Sequence, residues 1–499
     1  MSAIQVHHRD RIPSTGFLAV PGRLDFNELL HLEKQFQGRK ITYLIEENDS
    51  HEPTLRSHME RSGNGAMFSS TDENPAAAGK EFASFLKDNG ILLFVPGRAA
   101  TRPATPIHIP SGHLKILTAF GLPLLPIAID CPRESCLSIE RISSLPLAVI
   151  AFGKPVAAKD SSVAAFQAHL FEAFEEAYSS RDILKGSLAT ALLQGLKNNP
   201  GERLVDGADD VTLSFSKILP AAIALSKLIR EETDKPRVAI VLPPGKGGLI
   251  ANLAVIFAGK VPVNLNFTAS HNAIRSSIRQ ADVDRFITAD PFVRKVSSFP
   301  WPPNRDIIFI ERAIPELKKS IVKWAFLTRF LPLSLIVGLL GLNKRRDGDE
   351  AILLFTSGSS GEPKGVPLTH RNVLANVTQF SSRLNIGHDA SILGSLPLFH
   401  SFGCTVTLWY PVIEGINLIT YPSPLETKRL AELISLHQID VLLATPTFLR
   451  GYMKRIDPAQ LESLKLIVTG AEKLQQSFAD SFEEKFGIRP MEGYGLTET

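Results

Sequence analysis

The sequence contains few cysteines and no secretory signal. Cys131, Cys136 and Cys404 are too few, and odd in number, for a disulfide framework, and the CPRESC spacing of the first two fits no zinc-ligand pattern. The N-terminus, MSAIQVHHRDRIP, lacks the apolar core of a signal peptide. These absences indicate a reducing, cytoplasmic compartment.

The sequence also lacks a large excess of positive or negative charge. The formal net charge is +3 over 499 residues, so bulk electrostatics give no indication of a nucleic-acid partner. The hydrophobic share of 44% and the charged share of 21% are those of a globular protein with large apolar cores. A chain of this length predicts roughly three domains.

The chain also lacks an apolar run long enough to cross a bilayer. The segment WAFLTRFLPLSLIVGLLGLNKRR, residues 324–346, is interrupted by Arg329 and Pro332, and its uninterrupted part, 333–342, is short of the ~20 residues that a span needs. Two interpretations stay open. The segment is a buried or interdomain helix, or it is a monotopic hairpin or interfacial helix that contacts the inner membrane peripherally, with the cations of 344–346 beside anionic headgroups.

Strands and helices alternate from about residue 200 onward. The apolar runs RVAIVLP, VPVNLNF and AILLF predict strands, and LIANLAVIFAG predicts a helix between the first two. Residues 370–384 predict another helix, for which Thr369 is the expected N-cap. Its apolar face is formed by Val373, Val377, Phe380 and Leu384. Apolar strands separated by amphipathic helices imply an α/β fold with a largely parallel sheet that is covered on both faces.

Residues 1–180 show the same alternation more weakly. The runs KITYLIEE, GILLFVPG, LPLLPIAI and PLAVIAFG predict strands, and residues 164–196 predict a helical connector. We place the main domain boundary near residue 185, which divides the chain into 1–185 and 186–499.

The run LFTSGSSGEPKGVPLTH, residues 354–370, places small polar residues between a predicted strand and a predicted helix. A flexible linker has no reason to lie there, whereas a phosphate loop needs both neighbours, since its N–H groups, hydroxyls and lysine converge on an anion. Gly365 follows Lys364 where the magnesium-binding Ser or Thr of a P-loop would stand, which disfavours an NTPase of that type. The candidate phosphate ligands are Thr356, Ser357, Gly358, Ser359, Ser360, Gly361 and Lys364.

TSGSSGEPKGV resembles the phosphate-loop signature of the adenylate-forming, or AMP-binding, superfamily. LPLFHSFG at 396–403, TGAEKL at 469–474 and GYGLTET at 493–499 are similar to later motifs of that superfamily and stand in its order. YPSPLETKRL, ATPTFL and VTGAEKLQ look most like the synthetase half of the bifunctional 2-acylglycerophosphoethanolamine acyltransferase/acyl-ACP synthetase family. This resemblance covers roughly residues 190–499.

The resemblance implies the large N-terminal domain of an adenylate-forming ligase, with ATP and Mg²⁺ used to activate a fatty acid. A fatty carboxylate would attack the α-phosphorus of ATP, pyrophosphate would leave, and the thiol of CoA or acyl carrier protein would then take the acyl group. Positioning and charge neutralisation dominate such chemistry. The competing functions are a lysophospholipid acyltransferase acting through the first half and a non-catalytic lipid- or carrier-binding protein.

The roles of single residues also follow from the resemblance. Thr497 would contact the α-phosphate, Glu498 and Thr356 would hold Mg²⁺, and His400 would border the acyl pocket. With Lys364 on the β- and γ-phosphates, the expected catalytic residues are Lys364, Thr497, Glu498 and His400. The adenine site would be formed by Gly470, Ala471, Glu472, Gly493, Tyr494 and Gly495.

Apolar residues near these motifs have two interpretations. They would suit an acyl tunnel, and they would equally be core residues of a sheet protein. Without the phosphate loop, His400 would be interpreted as a satisfied core histidine and Tyr494 as an ordinary packed aromatic residue. The apolar candidates are Phe399, Phe402, Trp409, Phe448 and Leu449.

The first half resembles a glycerophospholipid acyltransferase that has lost its chemistry. In that family a His deprotonates the acceptor and an Asp five positions later orients the His. FLAVPGRLDFNELL, residues 17–30, keeps Asp25 but has Val20 in the place of the His, and no H-x-x-x-x-D occurs in the chain. FVPGRAATR, residues 94–102, lacks the Glu of the family's phosphate loop. We expect a structural, docking or lipid-binding domain.

The adenylate-forming family continues beyond the motif at which this sequence ends. A small barrel subdomain, a hinge and a C-terminal lid follow, and a lysine of the lid reaches the reacting carboxylate. We therefore expect the 499 residues to be a fragment or an incomplete gene model. The chain alone should bind ATP weakly at best and turn over little or no fatty acid, because lid closure completes such sites and excludes water.

Overall fold

The chain divides into two units in this computed structural model. They are Met1–Arg181 with Ser382–Asn385, and Asp182–Ser381 with Ile386–Thr499. The structure describes residues 4–22, 24, 26–36, 38–46, 53–62, 65–68, 90–96, 113–114, 117–118, 121–130, 149–157, 162–356, 362–384, 386–387 and 389–498. Asp25, the loop residues 357–361 and most of 94–102 lie outside this range.

The N-terminal unit is built on a sheet of seven described strands, which are β1 Gln5–His7, β2 Phe17–Pro21, β3 Ile41–Glu46, β4 Gly65–Phe68, β5 Ile91–Val95, β6 Leu124–Asp130 and β7 Val149–Phe152. Their order is β1-β7-β6-β2-β5-β3-β4. Only β6 and β7 pair antiparallel among these neighbours. The four strands predicted for this region are confirmed.

The strands at the centre of this sheet are apolar, except for Asp130 at the end of β6, because both of their faces are covered. Every residue of β2, β5 and β6 is buried, which is the pattern of a parallel sheet packed on both sides. The described helices of the unit are α1 Phe26–Gln35, α2 Pro53–Ser62 and α3 Val163–Ser179. Ser162 caps α3, since its side chain accepts a hydrogen bond from the backbone N–H of Ala165 at 3.0 Å.

The C-terminal unit contains two sheets. Its strands are β8 Glu202–Asp206, β9 Val211–Ser214, β10 Arg237–Ile240, β11 Val261–Asn264, β12 Phe286–Thr288, β13 Ile307–Phe309, β14 Glu350–Thr356, β15 Lys364–Thr369, β16 Ser391–Gly394, β17 Asn417–Thr420, β18 Val441–Ala444, β19 Leu466–Thr469 and β20 Met491–Glu492. The six-stranded sheet has the order β13-β12-β10-β11-β14-β15, and the seven-stranded sheet has the order β20-β19-β18-β16-β17-β8-β9. Both are parallel except for the edge strands β15 and β9.

The prediction of one sheet in this region was wrong. Alternation along the sequence identifies strands and helices, but it does not say which strands share a sheet. Strands β10 to β15 form one sheet, and β16 to β20 belong to the other. The early strand β8 also belongs to the second sheet, where its Leu204 pairs with Leu418 of β17. The α/β class and the dominance of parallel pairing are confirmed.

The helices of the C-terminal unit cover these sheets. They are α4 Leu188–Asn198, α5 Phe215–Glu232, α6 Lys246–Phe257, α7 His271–Ala281, α8 Asp290–Lys295, α9 Ile310–Glu316, α10 Lys318–Phe330, α11 Leu333–Leu339, α12 His370–Leu384, α13 Ser401–Cys404, α14 Tyr410–Glu414, α15 Thr427–His437, α16 Pro446–Arg455 and α17 Gln476–Phe486. The predicted cap of α12 is confirmed, because Thr369 Oγ1 accepts a hydrogen bond from the N–H of Asn372 at 3.2 Å.

The predicted connector at 164–196 is two helices, α3 and α4, separated by a 3-10 turn at Asp182–Lys185. The break has a local cause. The side chain of Ser187 accepts a hydrogen bond from the N–H of Thr190 at 3.2 Å and starts α4 as a new helix.

The apolar segment 324–346 forms most of α10, all of α11 and a 3-10 turn at Leu342–Lys344. It is neither a wholly buried helix nor a membrane span. Trp324 and Ile336 are buried, while Phe326 and Phe330 are exposed. None of the helices in the described part of the chain combines the length and the hydropathy needed to cross a bilayer.

His370, the first residue of α12, is buried in an environment that disfavours its protonated form. Its Nδ1 accepts a hydrogen bond from the N–H of Leu188 at 3.2 Å, and its Nε2 is buried without a partner among the described residues. Burial, reinforced by the nearby positive charge of Arg345 and opposed by Asp349 and Asp347, lowers the pKa of His370 to about 4.

We expect acid to destabilise the C-terminal unit through His370. Between pH 6.5 and about 4 this histidine is protonated in the unfolded chain and neutral in the folded protein. Unfolding therefore takes up a proton, and the free energy of unfolding decreases as the pH falls. The full shift corresponds to about 3 kcal/mol. His370→Asn, which keeps an acceptor for Leu188, should show a flatter dependence of the urea midpoint on pH. Parallel pH profiles for the two proteins would contradict this assignment.

Candidate active site

The predicted phosphate loop connects two antiparallel strands, not a strand and a helix. β14 ends at Thr356, and β15 begins at Lys364 and runs back along it. The expectation that the loop leads directly into the capped helix was therefore wrong. Pro367 disfavours a central strand, but β15 lies at the edge of its sheet, where a missing N–H is tolerated. A bound anion would meet a hairpin here instead of a helix N-terminus.

This hairpin places two of the predicted phosphate ligands side by side. Thr356 and Lys364 are direct cross-strand partners. Partners in an antiparallel pair point to the same face, with Cβ atoms about 4.5–5.5 Å apart. Lys364 is exposed and Thr356 is half-buried. Ser357, Gly358, Ser359, Ser360 and Gly361 lie outside the described residues.

The later motifs meet at one cavity of about 380 Å³ in the C-terminal unit. Its lining includes eight predicted site residues, His400, Gly470, Ala471, Gly493, Tyr494, Gly495, Thr497 and Glu498. They follow the carboxyl ends of β16, β19 and β20 in the seven-stranded sheet. Parallel strands deliver their following loops to the same edge of a sheet, which is where open α/β sheets bind ligands.

The backbone at the end of β19 is unusual. Ala471 has a φ of +67°, a left-handed conformation that a residue with a Cβ adopts at a cost. The preceding Gly470 is in close contact with an aromatic ring, since a Cβ placed on it would lie 3.2 Å from the ring of Phe402. Any side chain at 470 would therefore push against the cavity wall. Strain and close packing at this point support a functional assignment of the TGAEKL motif.

His400 caps α13 at the rim of the cavity. Its Nδ1 accepts a long hydrogen bond from the N–H of Phe402 at 3.4 Å. This leaves the proton of the neutral ring on Nε2. Partial desolvation lowers the pKa of His400, so the neutral form is favoured at physiological pH. The ring can therefore donate a hydrogen bond from Nε2 to an oxygen in the cavity.

Residues 493–498 of the GYGLTET motif line the cavity, and most of them are exposed. The hydroxyl of Thr497 lies 3.3 Å from that of Ser401. Glu498 is exposed and makes no ion pair with any described residue. The ring of Tyr494 is 89% exposed. A large aromatic ring held in water at a cavity rim is a platform for stacking a planar ligand.

Among the predicted ATP-site residues that the structure describes, three do not line this cavity. Thr356 and Lys364 belong to the other sheet of the unit. The carboxylate of Glu472 accepts hydrogen bonds from the hydroxyl of Thr447 at 2.6 Å and from its N–H at 3.3 Å. The side chain of Glu472 is thus tied to the start of α16.

Sequence reasoning missed the polar side of the cavity that α12 supplies. Asn372, Asn376 and Gln379 recur at spacings of four and three, so they share one face of this helix and line the cavity. The sequence contains a pattern that could have indicated this, because the three amide side chains form a polar stripe beside the apolar face of the helix. An apolar helix face shows which residues pack in the core. The pattern of polar residues beside it does not show which of them line a binding site.

The apolar candidates divide between core and cavity. Trp409 and Leu449 are fully buried, and Leu449 packs in the core around β18 and α16. Phe402 lines the cavity, and Phe399 packs edge-on against Phe267 at 5.3 Å between centroids. Trp409 ends a π-helical turn, Thr405–Trp409, whose first two residues also line the cavity. Such turns occur frequently at functional sites.

Comparison with known proteins accounts for this set of motifs. Residues 194–499 match the family described as AMP-binding enzyme. The chain belongs to the AMP-binding enzyme family. It is 28% identical to the long-chain-fatty-acid–CoA ligase of Bacillus subtilis over 317 residues, 57% of this chain and 55% of the ligase. It is 23% identical to the corresponding ligase of Haemophilus influenzae over 315 residues, 57% of this chain and 56% of that protein.

The chain therefore spans about half the length of these curated relatives. Among solved structures, the N-terminal domain of FACL13 from Mycobacterium tuberculosis aligns with a TM-score of 0.51 at 18% identity, over 63% of this chain and 76% of that one. The anthranilate CoA ligase AuaEII aligns with a TM-score of 0.53 at 17% identity, over 63% and 61%. These alignments confirm that the chain contains the fold of the N-terminal domain of an adenylate-forming ligase.

Proposed function

We propose that the C-terminal unit activates a fatty acid with ATP and hands the acyl group to a thiol acceptor. The observation that carries this proposal is the meeting of eight motif residues on one cavity within the region that matches the AMP-binding family. The similarity to two long-chain-fatty-acid–CoA ligases supports a fatty acid as the carboxylate substrate.

The chemistry proceeds in two balanced steps. A carboxylate oxygen of the fatty acid attacks the α-phosphorus of ATP, the bond to the β-phosphate oxygen breaks, and pyrophosphate leaves with the electron pair. The thiolate of the acceptor then attacks the acyl carbonyl, and AMP leaves. The resemblance to the synthetase half of the bifunctional family supports acyl carrier protein as the acceptor, while the CoA ligase relatives support CoA.

The residues of the cavity fit a nucleotide with Mg²⁺. A volume of about 380 Å³ lies within the range of small-molecule sites, and the exposed ring of Tyr494 would stack on adenine. Glu498 offers a carboxylate, and Mg²⁺ is commonly bound by one or two carboxylates together with substrate phosphates. Bound there, Mg²⁺ would neutralise charge on the phosphates.

The protein's own groups would orient the substrates and bear the remaining charge. Thr497 would donate to the α-phosphate, and the Nε2–H of His400 would donate to the carboxylate or to an α-phosphate oxygen. Lys364 and Thr356, paired across the hairpin, would contact the β- and γ-phosphates. The strand pair holds Thr356 and Lys364 in position before substrate binds, and such preorganisation is how these sites stabilise a transition state.

The test is a single-turnover assay for acyl-AMP, with the 499-residue chain in excess over labelled ATP and a panel of fatty acids of different length. We expect acyl-AMP that depends on fatty acid, ATP and Mg²⁺ together, in a small yield, because the sequence predicts that this chain alone turns over little fatty acid. Addition of CoA or acyl carrier protein should then convert it to AMP and thioester. Fatty-acid binding without ATP and without any adenylate would instead favour a lipid-binding protein.

For the N-terminal unit we propose a degenerate acyltransferase domain without transferase activity. Val20 stands where the resemblance to acyltransferases would place the general base, and its side chain is fully buried within β2. A valine side chain has no group that can accept a proton, and its burial leaves no room for an acceptor hydroxyl beside it. A structural, docking or lipid-binding role remains for this unit.

We expect the chain to transfer no acyl group to a lysophospholipid. The measurement is incubation with acyl-CoA or acyl carrier protein thioester and lysophosphatidylethanolamine, followed by lipid chromatography. The reason is the missing base at position 20. Transfer above the buffer background that disappears in Asp25→Asn would show that another group takes the role of the base.

A further inference from the structure

Two helices of the C-terminal unit expose a cluster of large apolar side chains. Among the described residues, five of the twelve exposed large hydrophobic side chains belong to α10 and α11. These five, Val322, Phe326, Phe330, Leu335 and Leu339, are each between 54% and 68% exposed. Scattered exposed apolar residues need no explanation, but a concentrated set marks a contact surface.

The spacing of these residues makes each helix amphipathic in the same sense. Val322, Phe326 and Phe330 recur every four residues along α10, and Leu335 and Leu339 do so along α11. The rings of Phe326 and Phe330 lie 4.7 Å apart between centroids. Each helix therefore carries an apolar stripe on its solvent side.

The buried faces of α10 and α11 are anchored to the same helical layer. The Lys227 ammonium of α5 lies 5.0 Å above the ring of Trp324, and Lys197 of α4 donates to the carbonyl of Thr328 at 2.7 Å. Arg230 of α5 donates to the carbonyl of Leu340, just after α11, at 2.8 Å. Because both helices pack inward on α4 and α5, both apolar stripes face outward from that layer.

The charge on this segment is of one sign. Residues 318–346 contain seven Lys or Arg and no Asp or Glu. All seven are exposed, and none forms an ion pair with a described acidic side chain. The seven are Lys318, Lys319, Lys323, Arg329, Lys344, Arg345 and Arg346. The guanidinium of Arg345 lies over Gly259, just after α6, where a Cβ would be 3.1 Å from it. The other six cations and the five apolar residues form what we term the basic apolar face.

We propose that the basic apolar face docks the protein on an anionic lipid surface. Amphipathic helices with cations beside an apolar stripe lie in the headgroup region, where the side chains reach the acyl chains and the cations meet anionic headgroups. A second copy of the chain fits this face less well, because a twofold contact would oppose its six cations to the same six cations of the other copy. The face also offers few hydrogen-bonding side chains besides its cations, unlike a protein interface.

The test is co-sedimentation of the 499-residue chain with phosphatidylcholine vesicles that do or do not contain phosphatidylserine, at low salt and at about 0.5 M salt. The wild-type chain should bind the phosphatidylserine vesicles at low salt and release in high salt. Phe326→Ser with Phe330→Ser should weaken partitioning by about tenfold or more. Lys318→Gln, Lys319→Gln and Lys323→Gln combined should weaken it on the order of 10²-fold.

Leu425→Ser with Leu436→Ser is the matched control, because these residues are equally exposed but lie outside the basic apolar face. This control should bind vesicles like the wild type. Undiminished binding by the phenylalanine variant, equal binding to vesicles without phosphatidylserine, or no binding at all would overturn the proposal. Two further results would also overturn it. One is a concentration-dependent dimer of the wild type in sedimentation velocity that is lost in the phenylalanine variant, and the other is binding of polyglutamate in preference to the vesicles. Acyl-AMP formation is not used as a readout, so this proposal can fail while the proposed function stands.

Discussion

Lys364→Ala should lower the rate of acyl-AMP formation by on the order of 10²-fold or more. Lys364 is the first residue of β15 and faces the same side of the hairpin as Thr356. A lysine aimed at the transferring phosphates neutralises charge that develops in the transition state, and its removal costs several kcal/mol there. Glu498→Ala, which removes the carboxylate proposed for Mg²⁺, should have an effect of similar size.

The controls separate this effect from loss of fold. Lys428→Ala removes a lysine that is exposed on α15 and does not line the cavity, so it should leave the rate unchanged. Lys364→Arg keeps the charge and should retain part of the activity. The measurement is single-turnover acyl-AMP formation with each variant in saturating excess over labelled ATP. A rate within a few-fold of wild type for Lys364→Ala would remove Lys364 from the phosphate site.

Arg181→Met should destabilise the N-terminal unit by about 3–5 kcal/mol. The Arg181 guanidinium donates two hydrogen bonds to the Asp130 carboxylate, at 2.6 and 2.8 Å, and both side chains are buried. The guanidinium also lies 4.4 Å over the ring of Tyr178. Truncation leaves the carboxylate at the end of β6 buried without its partner, which costs far more than the pair itself contributes.

The double variant Asp130→Leu with Arg181→Met tests the cause. It removes both charges, so no ion remains buried and unpaired, and its stability should recover much of the loss. The measurement is urea unfolding followed by far-UV circular dichroism, with the transition of the N-terminal unit fitted separately. An Arg181→Met transition within about 1 kcal/mol of wild type would show that water reaches and solvates Asp130.

Most strands could be predicted from sequence because parallel strands buried on both faces are apolar throughout. The run AILLF stands out for this reason, and so do the runs that became β5 and β6. β15 could not be predicted in the same way, since KGVPLT mixes Gly, Pro and polar residues that an edge strand tolerates. Because β15 follows the loop, the phosphate loop connects the two strands of a hairpin and does not lead into a helix.

The candidate site was predictable only as separate motifs. Nothing in the spacing of His400, Gly470 and Tyr494 along the chain says that they share a cavity. Their convergence depends on the strand order β20-β19-β18-β16, which brings three strand ends to one edge. The contribution of Asn376 and Gln379 depends on how α12 is rotated against that edge, a matter of packing that the sequence pattern leaves open.

The central claim is that the cavity formed by His400, Gly470 and residues 493–498 holds an acyl-adenylate. The most direct measurement is calorimetric titration of the 499-residue chain with a fatty-acyl sulfamoyl adenosine, a stable mimic of the acyl-adenylate. We predict saturable binding of one mimic per chain. Tyr494→Ala should weaken it about tenfold or more through loss of stacking, whereas Phe171→Ala, which removes an exposed aromatic ring of the N-terminal unit, should leave it unchanged. Absence of binding, or equal affinity in Tyr494→Ala and wild type, would contradict the assignment of this cavity.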